Sequence, residues 1–208
     1  FGRYTKVDSA IQRTAEFLDK DIEKVALSDY YHSIARFFLA RGDFEAASEY
    51  IDRALKLIEV EEHSEMYVLE LIIKGNIAAQ SGILHEAELT YTKALMVTNE
   101  HLTDNHPYLT YIYNNLGAFH AESNDYFKAG DFYNQSLAMT EANNDLRGLI
   151  LVYNNLGNVY KNNNEFGKAI EFFNKSKAIS EELFGVKSIA AARALYNMGE
   201  TYLLAQDT

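Results

Sequence analysis

Residues 113–117 read "YNNLG", and the same five letters return at 153–157. Asparagine lowers helix stability because its side chain competes for backbone hydrogen bonds, so two adjacent asparagines inside a helix-favouring run need a reason other than propensity. The flanks match as well. "YNNLGAFHAESNDYFKAGDFYNQSLAMTEA" (113–142) aligns with "YNNLGNVYKNNNEFGKAIEFFNKSKAISEE" (153–182) at an offset of 40. The same ruler finds "LIIKGNIAAQSGILHEAELTYTKALMV" with Gly75 in register, "YHSIARFFLARGDFEAASEYIDRALKLI" with Ala35, and "LYNMGETYLLAQ" with Gly199. The register positions 35, 75, 117, 157 and 199 are spaced by 40, 42, 40 and 42, and self-similarity at such a period signals stacked supersecondary units.

Each full unit contains a turn signal seven residues past its register position, at Gly42, Gly82, Asn124 and Asn164. Two antiparallel helices per unit follow. Twelve residues past the register stand Ala47, Ala87, Ala129 and Ala169, where the second helix has to approach the first closely. One turn further come Ile51, Tyr91, Tyr133 and Phe173, whose helical spacing reads as core packing. Units are expected to begin near 28, 68, 110 and 150, with a lone helix near 192. Residues 1–27 carry an apolar stripe (Val7, Ile11, Ala15, Leu18, Ile22, Val25) that reads as a capping helix or the second helix of a truncated repeat.

Composition agrees with an all-α chain. Among 208 residues there are one proline and eleven glycines, so few positions break a helix or turn a hairpin. No run of about 18 apolar residues exists to span a bilayer. Zero cysteines rule out disulfides and thiolate metal sites and are compatible with a reducing, cytoplasmic setting. A net charge of −11 without a Lys/Arg cluster argues against direct nucleic-acid binding.

Leu-Gly, a tyrosine three residues later (Tyr160, Tyr202), the alanine, the aromatic and a small residue (Ala54, Ala94, Ser136, Ser176) together resemble the tetratricopeptide repeat. The longer period resembles the repeats of kinesin light chains and of Rap-type bacterial peptide-sensing regulators. "TDNHP" at 103–107 is similar to an element between kinesin light chain repeats. Lys74 and His120 depart from the pattern, standing where an apolar residue and a tyrosine are usual, so the second and third units are expected to pack less regularly. The resemblance implies a right-handed superhelical solenoid of helix hairpins over residues 28–208.

In such a stack the first helices line an inner wall. If Gly117 meets its hairpin partner, Asn115 lies about 200° around the helix from that contact and faces the groove. Asn155 and Asn197 are its equivalents, Asn114 and Asn154 lie beside them, and Asn76 and Asn158 are equivalent one turn on. A primary amide can grip both N–H and C=O of an extended backbone. The resemblance implies that role for Asn115, Asn155 and Asn197. The alternative is that these asparagines tolerate a solvated face or bond to the neighbouring repeat. Specificity would come from residues that vary along the wall: Arg36, Ile73, Tyr111, Lys161 and Arg193, the basic ones receiving acidic groups.

No phosphate loop, nucleophile elbow or His-Glu-x-x-His motif is present. The expectation is therefore a non-catalytic module without cofactor or metal that holds a protein segment or extended peptide. Two other readings remain: a peptide-sensing domain whose output module lies outside this sequence, and a scaffold that self-associates through exposed repeat ends.

Overall fold

The computed structural model describes residues 20–206, with side chains from residue 24. The Val7–Ile22 part of the amino-terminal stripe lies outside the described side chains. Among the described residues the structure is all helix: α1 (Lys20–Ala40), α2 (Phe44–Leu55), α3 (Ser64–Gln80), α4 (Leu84–His101), α5 (Tyr108–Glu122), α6 (Tyr126–Ala142), α7 (Leu146–Asn162), α8 (Phe166–Phe184) and α9 (Ile189–Gln206). Two compact units divide the chain, Phe1–Leu102 and Thr103–Thr208. In the first, α1 pairs with α2 and α3 with α4; in the second, α5 pairs with α6, α7 with α8, and α9 packs on α8.

The hairpin turns follow from backbone stereochemistry. Gly42, Gly82, Asn124 and Asn164 have φ of 74°, 82°, 59° and 60°, the left-handed region open to glycine and tolerated by asparagine. Each is followed by a residue whose N–H bonds back five positions, as Asp125 N does to His120 O at 2.8 Å, closing the exposed carbonyls of the first helix. Asp43 and Asp125 then cap the second helices by accepting from Ala46 N and Lys128 N.

Small register residues set the interhelix distance. A Cβ on Gly75, Gly117 or Gly157 would lie 2.4, 2.7 or 2.4 Å from the ring of Tyr91, Tyr133 or Phe173. In the first hairpin Ala35 and Ile51 are both fully buried in the equivalent place. Ala47, Ala87, Ala129 and Ala169 are buried as well, as close packing of the second helix requires. A second contact recurs three residues past the register, where Phe38 stacks on Tyr50, His120 on Phe132 and Tyr160 on Phe172, with ring centroids 5.8, 5.4 and 5.3 Å apart.

Two sequence expectations need correction. His120 does not loosen its unit, because an imidazole stacked on Phe132 is a flat ring in the place that Tyr160 fills. Lys74 is only partly exposed and sends its ammonium to Asp52 Oδ1 at 2.6 Å, so its charge is paired. The helices also begin before the expected starts. α1 runs without a break through residue 28, where the sequence reading sets a boundary, since the stretch 20–28 contains neither glycine nor proline.

Candidate functional site

The register asparagines of the second unit sit on α5, α7 and α9, which stand side by side, α7 touching both neighbours. Their amides form a directional series. Asn155 Nδ2 donates to Asn114 Oδ1 at 2.8 Å, and Asn197 Nδ2 donates to Asn154 Oδ1 at 3.4 Å. The second asparagine position of one repeat thus bonds to the first of the repeat before.

The amides are not equivalent. Asn154 is only 6% exposed and spends both N–H groups internally, one on Ile150 O at 2.8 Å and one on Ser176 Oγ. With its oxygen accepting from Asn197, it ties α7 to α8 and α9. Asn197 is buried too, whereas Asn114, Asn115, Asn155 and Asn158 are half-buried. One inter-repeat bond leaves Asn155 an oxygen and a further N–H to offer.

A cavity of about 310 Å³ opens between α7 and α9, lined by Arg147, Ile150, Leu151, Asn154, Asn155, Asn158, Ala190, Arg193 and Asn197. It brings together five residues singled out from sequence: Asn154, Asn155, Asn158, Arg193 and Asn197. No carboxylate lines it. Arg193 is exposed without an acidic partner, and the guanidinium of Arg147 lies over the Phe184 ring at 5.5 Å from its centroid. Tyr111 and Leu151, at the same register as Arg193, are exposed on α5 and α7.

Other predicted positions have different surroundings. Lys161 Nζ is committed to Glu200 Oε2 at 2.9 Å, so an acidic ligand group would have to displace that carboxylate. The bond from Lys161, then that from Tyr196 Oη, holds the Glu200 carboxyl below the usual carboxylate range. In the first unit, Asn76 Oδ1 accepts from Tyr91 Oη at 2.8 Å, which anchors it to its own hairpin. Ile73 packs against the cluster around Tyr31, Ile34 and Ile77, and Arg36 is exposed.

The first unit replaces the amide tie with an ionisable one. His32 Nδ1 and Glu70 Oε2 lie 2.8 Å apart, and the second carboxylate oxygen of Glu70 is buried without a partner. Burial pushes the Glu70 carboxyl up, against the bond and charge of His32. Among the described residues no three His, Asp or Glu side chains are placed to hold a metal ion, and no helix is long and apolar enough to cross a membrane.

Arg147 and Ala190 escaped the sequence reading because the helices were expected to start near 150 and 192. Both residues then fell in connecting segments. The signal that recovers Arg147 is Asp145, whose side chain accepts from Gly148 N and moves the start of α7 forward.

Comparison with known proteins bears on these repeats. Tetratricopeptide repeat models match residues 28–60 and 148–208. The fold is similar to BtubC (BKLC) from P. vanneervenii, with a TM-score of 0.82 and 19% identity over 99% of this chain and 83% of that one. It is also similar to a kinesin light chain-type protein of Podosopora anserina with nearly identical TPR-like repeats, with a TM-score of 0.68 and 14% identity over 86% of this chain and 87% of that one. A STAND signal-transduction ATPase from Pyrococcus horikoshii, which has a tetratricopeptide repeat sensor, gives 0.76 and 16% identity over 96% of this chain and 30% of that one. At these identities the likeness is one of fold. No curated protein sequence matches significantly.

Proposed function

We propose, from the premise that this chain belongs to the tetratricopeptide repeat family, that the α5–α7–α9 face binds an extended segment of a partner protein without catalysis. The observation that carries the reading is the cavity between α7 and α9, where amides with spare hydrogen-bonding capacity lie between two arginines that no carboxylate neutralises. Asn155 and Asn158 would hold the backbone of the segment. Arg147 and Arg193 would take an acidic side chain, since a guanidinium matches a carboxylate in a planar, paired geometry. Exposed Tyr111 and Leu151 offer an apolar anchor.

Charge limits the partner. A chain of net charge −11 repels a strongly acidic peptide at long range, so the fitting segment is mainly neutral with one or two acidic residues. A cytoplasmic setting belongs to this reading, as cysteine-free chains suit a reducing compartment. The second reading, a sensor that passes peptide occupancy to an output module, draws on the fold likeness to a STAND protein that has a tetratricopeptide repeat sensor.

The test is selection of peptides from a random displayed library on the full chain, followed by calorimetry on the parent, Asn158→Ala and Arg193→Ala. Recovered peptides should share an acidic residue, and Arg193→Ala should weaken them by roughly 10- to 100-fold, the loss expected for one charge-assisted bond. Peptides that bind both variants as tightly as the parent would place the interaction elsewhere.

A further inference from the structure

A cavity of about 490 Å³ in the first unit lies between α2 and the α3–α4 hairpin. Part of its wall belongs to the core: Ile77 and Ala78 are buried, and Phe44 packs against the cluster around Tyr31 and Ile51. Much of the rest is acidic, with Glu45, Glu49 and Asp52 from α2 and Glu86 from α4. Lys74 is the single cation in that wall, 2.6 Å from Asp52 Oδ1 and 4.0 Å from Glu86 Oε1. Glu49 pairs with Arg53, and Glu45 has no hydrogen bond or ion pair among the described residues. Four carboxylates are thus matched by two cations, which leaves half of the negative charge uncompensated beside apolar surface.

That combination suits a cation with an extended head and an apolar stem. A divalent metal needs oxygens that converge on one point, and among the described residues no three His, Asp or Glu side chains do so. The carboxylates are spread over about 10 Å of α2 and across to α4. An arginine side chain has the matching parts: a hydrocarbon stem to lie on Phe44, Ile77 and Ala78, and a planar head whose five N–H donors point in several directions. An ammonium is a compact point charge, and the one already present, Lys74, satisfies Asp52 and leaves Glu45 unpaired. Ile83, which also lines the cavity, is 54% exposed. It offers apolar surface that a residue next to the arginine in a polypeptide would cover and a free guanidino compound would not.

We infer that this cavity seats an arginine side chain of a partner polypeptide, with the guanidinium held by Glu45 and Glu86. The net charge of −11 draws a basic segment in at long range. The preference is opposite to that of the α7–α9 cavity, which no carboxylate lines. The two cavities lie in different units and share no residue, so this inference does not rest on the function proposed above.

The probe is a blocked pentapeptide with a central arginine flanked by leucines, titrated into the isotopically labelled full chain and followed by amide chemical shifts. Saturable shifts are expected at residues 44–52 and 81–86. Replacing the arginine by citrulline, which keeps the shape and loses the charge, should weaken binding by at least about tenfold, and so should Glu45→Gln combined with Glu86→Gln in the chain. Lys74→Met, which removes the cation from the wall, should strengthen it several-fold. Ser48→Leu, which fills the cavity without changing its charge, should abolish it. The inference is overturned if the citrulline peptide binds as tightly as the arginine peptide, or if no saturable shift appears in those two stretches at millimolar peptide. Equal binding by a lysine peptide would overturn the guanidinium assignment. Equal binding by N-acetylarginine amide would assign the cavity to a small guanidino compound and overturn the polypeptide partner.

Discussion

Gly157 and Gly199 share a register position and have opposite surroundings. At Gly157 a Cβ would meet Phe173 Cε1 at 2.4 Å, and that ring is fully buried and cannot move aside cheaply. Overpacking of this kind costs about 1–3 kcal/mol, more than the roughly 1 kcal/mol that alanine adds to an α-helix over glycine. Gly157→Ala should therefore lower stability in urea unfolding. Gly199→Ala, with open space around it, should raise stability by up to about 1 kcal/mol. Equal effects at the two sites would show that the rings do not press on the glycines.

Asn154 shows how one side chain holds several elements together. Its amide joins α7 to Ser176 on α8 and to Asn197 on α9, and all three residues are buried. Alanine would leave the Asn197 amide without that acceptor, at a cost of about 1–3 kcal/mol against at most about 0.7 kcal/mol gained in helix propensity. Asn154→Ala should thus destabilise the chain, while Asn134→Ala, on the exposed side of α6, should leave the denaturation midpoint nearly unchanged. The repeated asparagines differ in what they have left to offer. Asn154 uses both N–H groups and its oxygen within the fold, whereas Asn155 keeps an oxygen and an N–H, as the proposed ligand contact requires. A melting curve for Asn154→Ala that overlays the parent would show that the amide series contributes nothing to the fold.

The two units of the molecule should respond differently to acid. Glu70 occupies the register place held by Ile112, Val152 and Ala194 in the second unit, and its folded carboxyl is raised by burial. Between the ordinary carboxylate value of 4.5 and the raised one, the folded chain binds more protons at this site than the unfolded chain. Stability from this site accordingly falls as pH rises through that window and is recovered on acidification. Glu70→Gln keeps the shape and an acceptor for His32 while removing the titration. It should flatten the pH dependence of the first unit's unfolding, followed by hydrogen exchange of α1 and α3. An unchanged slope would show that Glu70 does not titrate in that range.

Much of this protein could be read from its letters. A period of 40–42 with a glycine or asparagine seven residues past each of the first four register positions leaves the backbone few choices, because a left-handed residue at a fixed place forces a hairpin there. Local stereochemistry and hydrophobic period therefore determined the helices, their pairing and the faces the asparagines occupy. Tertiary structure decided which amides are consumed. Whether Asn154 or Asn155 has a free N–H depends on residues about 20 and 40 positions away, Ser176 and Asn114, and no single-helix geometry contains those distances. It also decided that Lys161 is neutralised by Glu200 while Arg193 is not, since an ion pair between helices requires both side chains to reach the same point in space. The covering of Gly157 and the emptiness around Gly199 have the same origin: the two glycines are alike in sequence, and only packing distinguishes them.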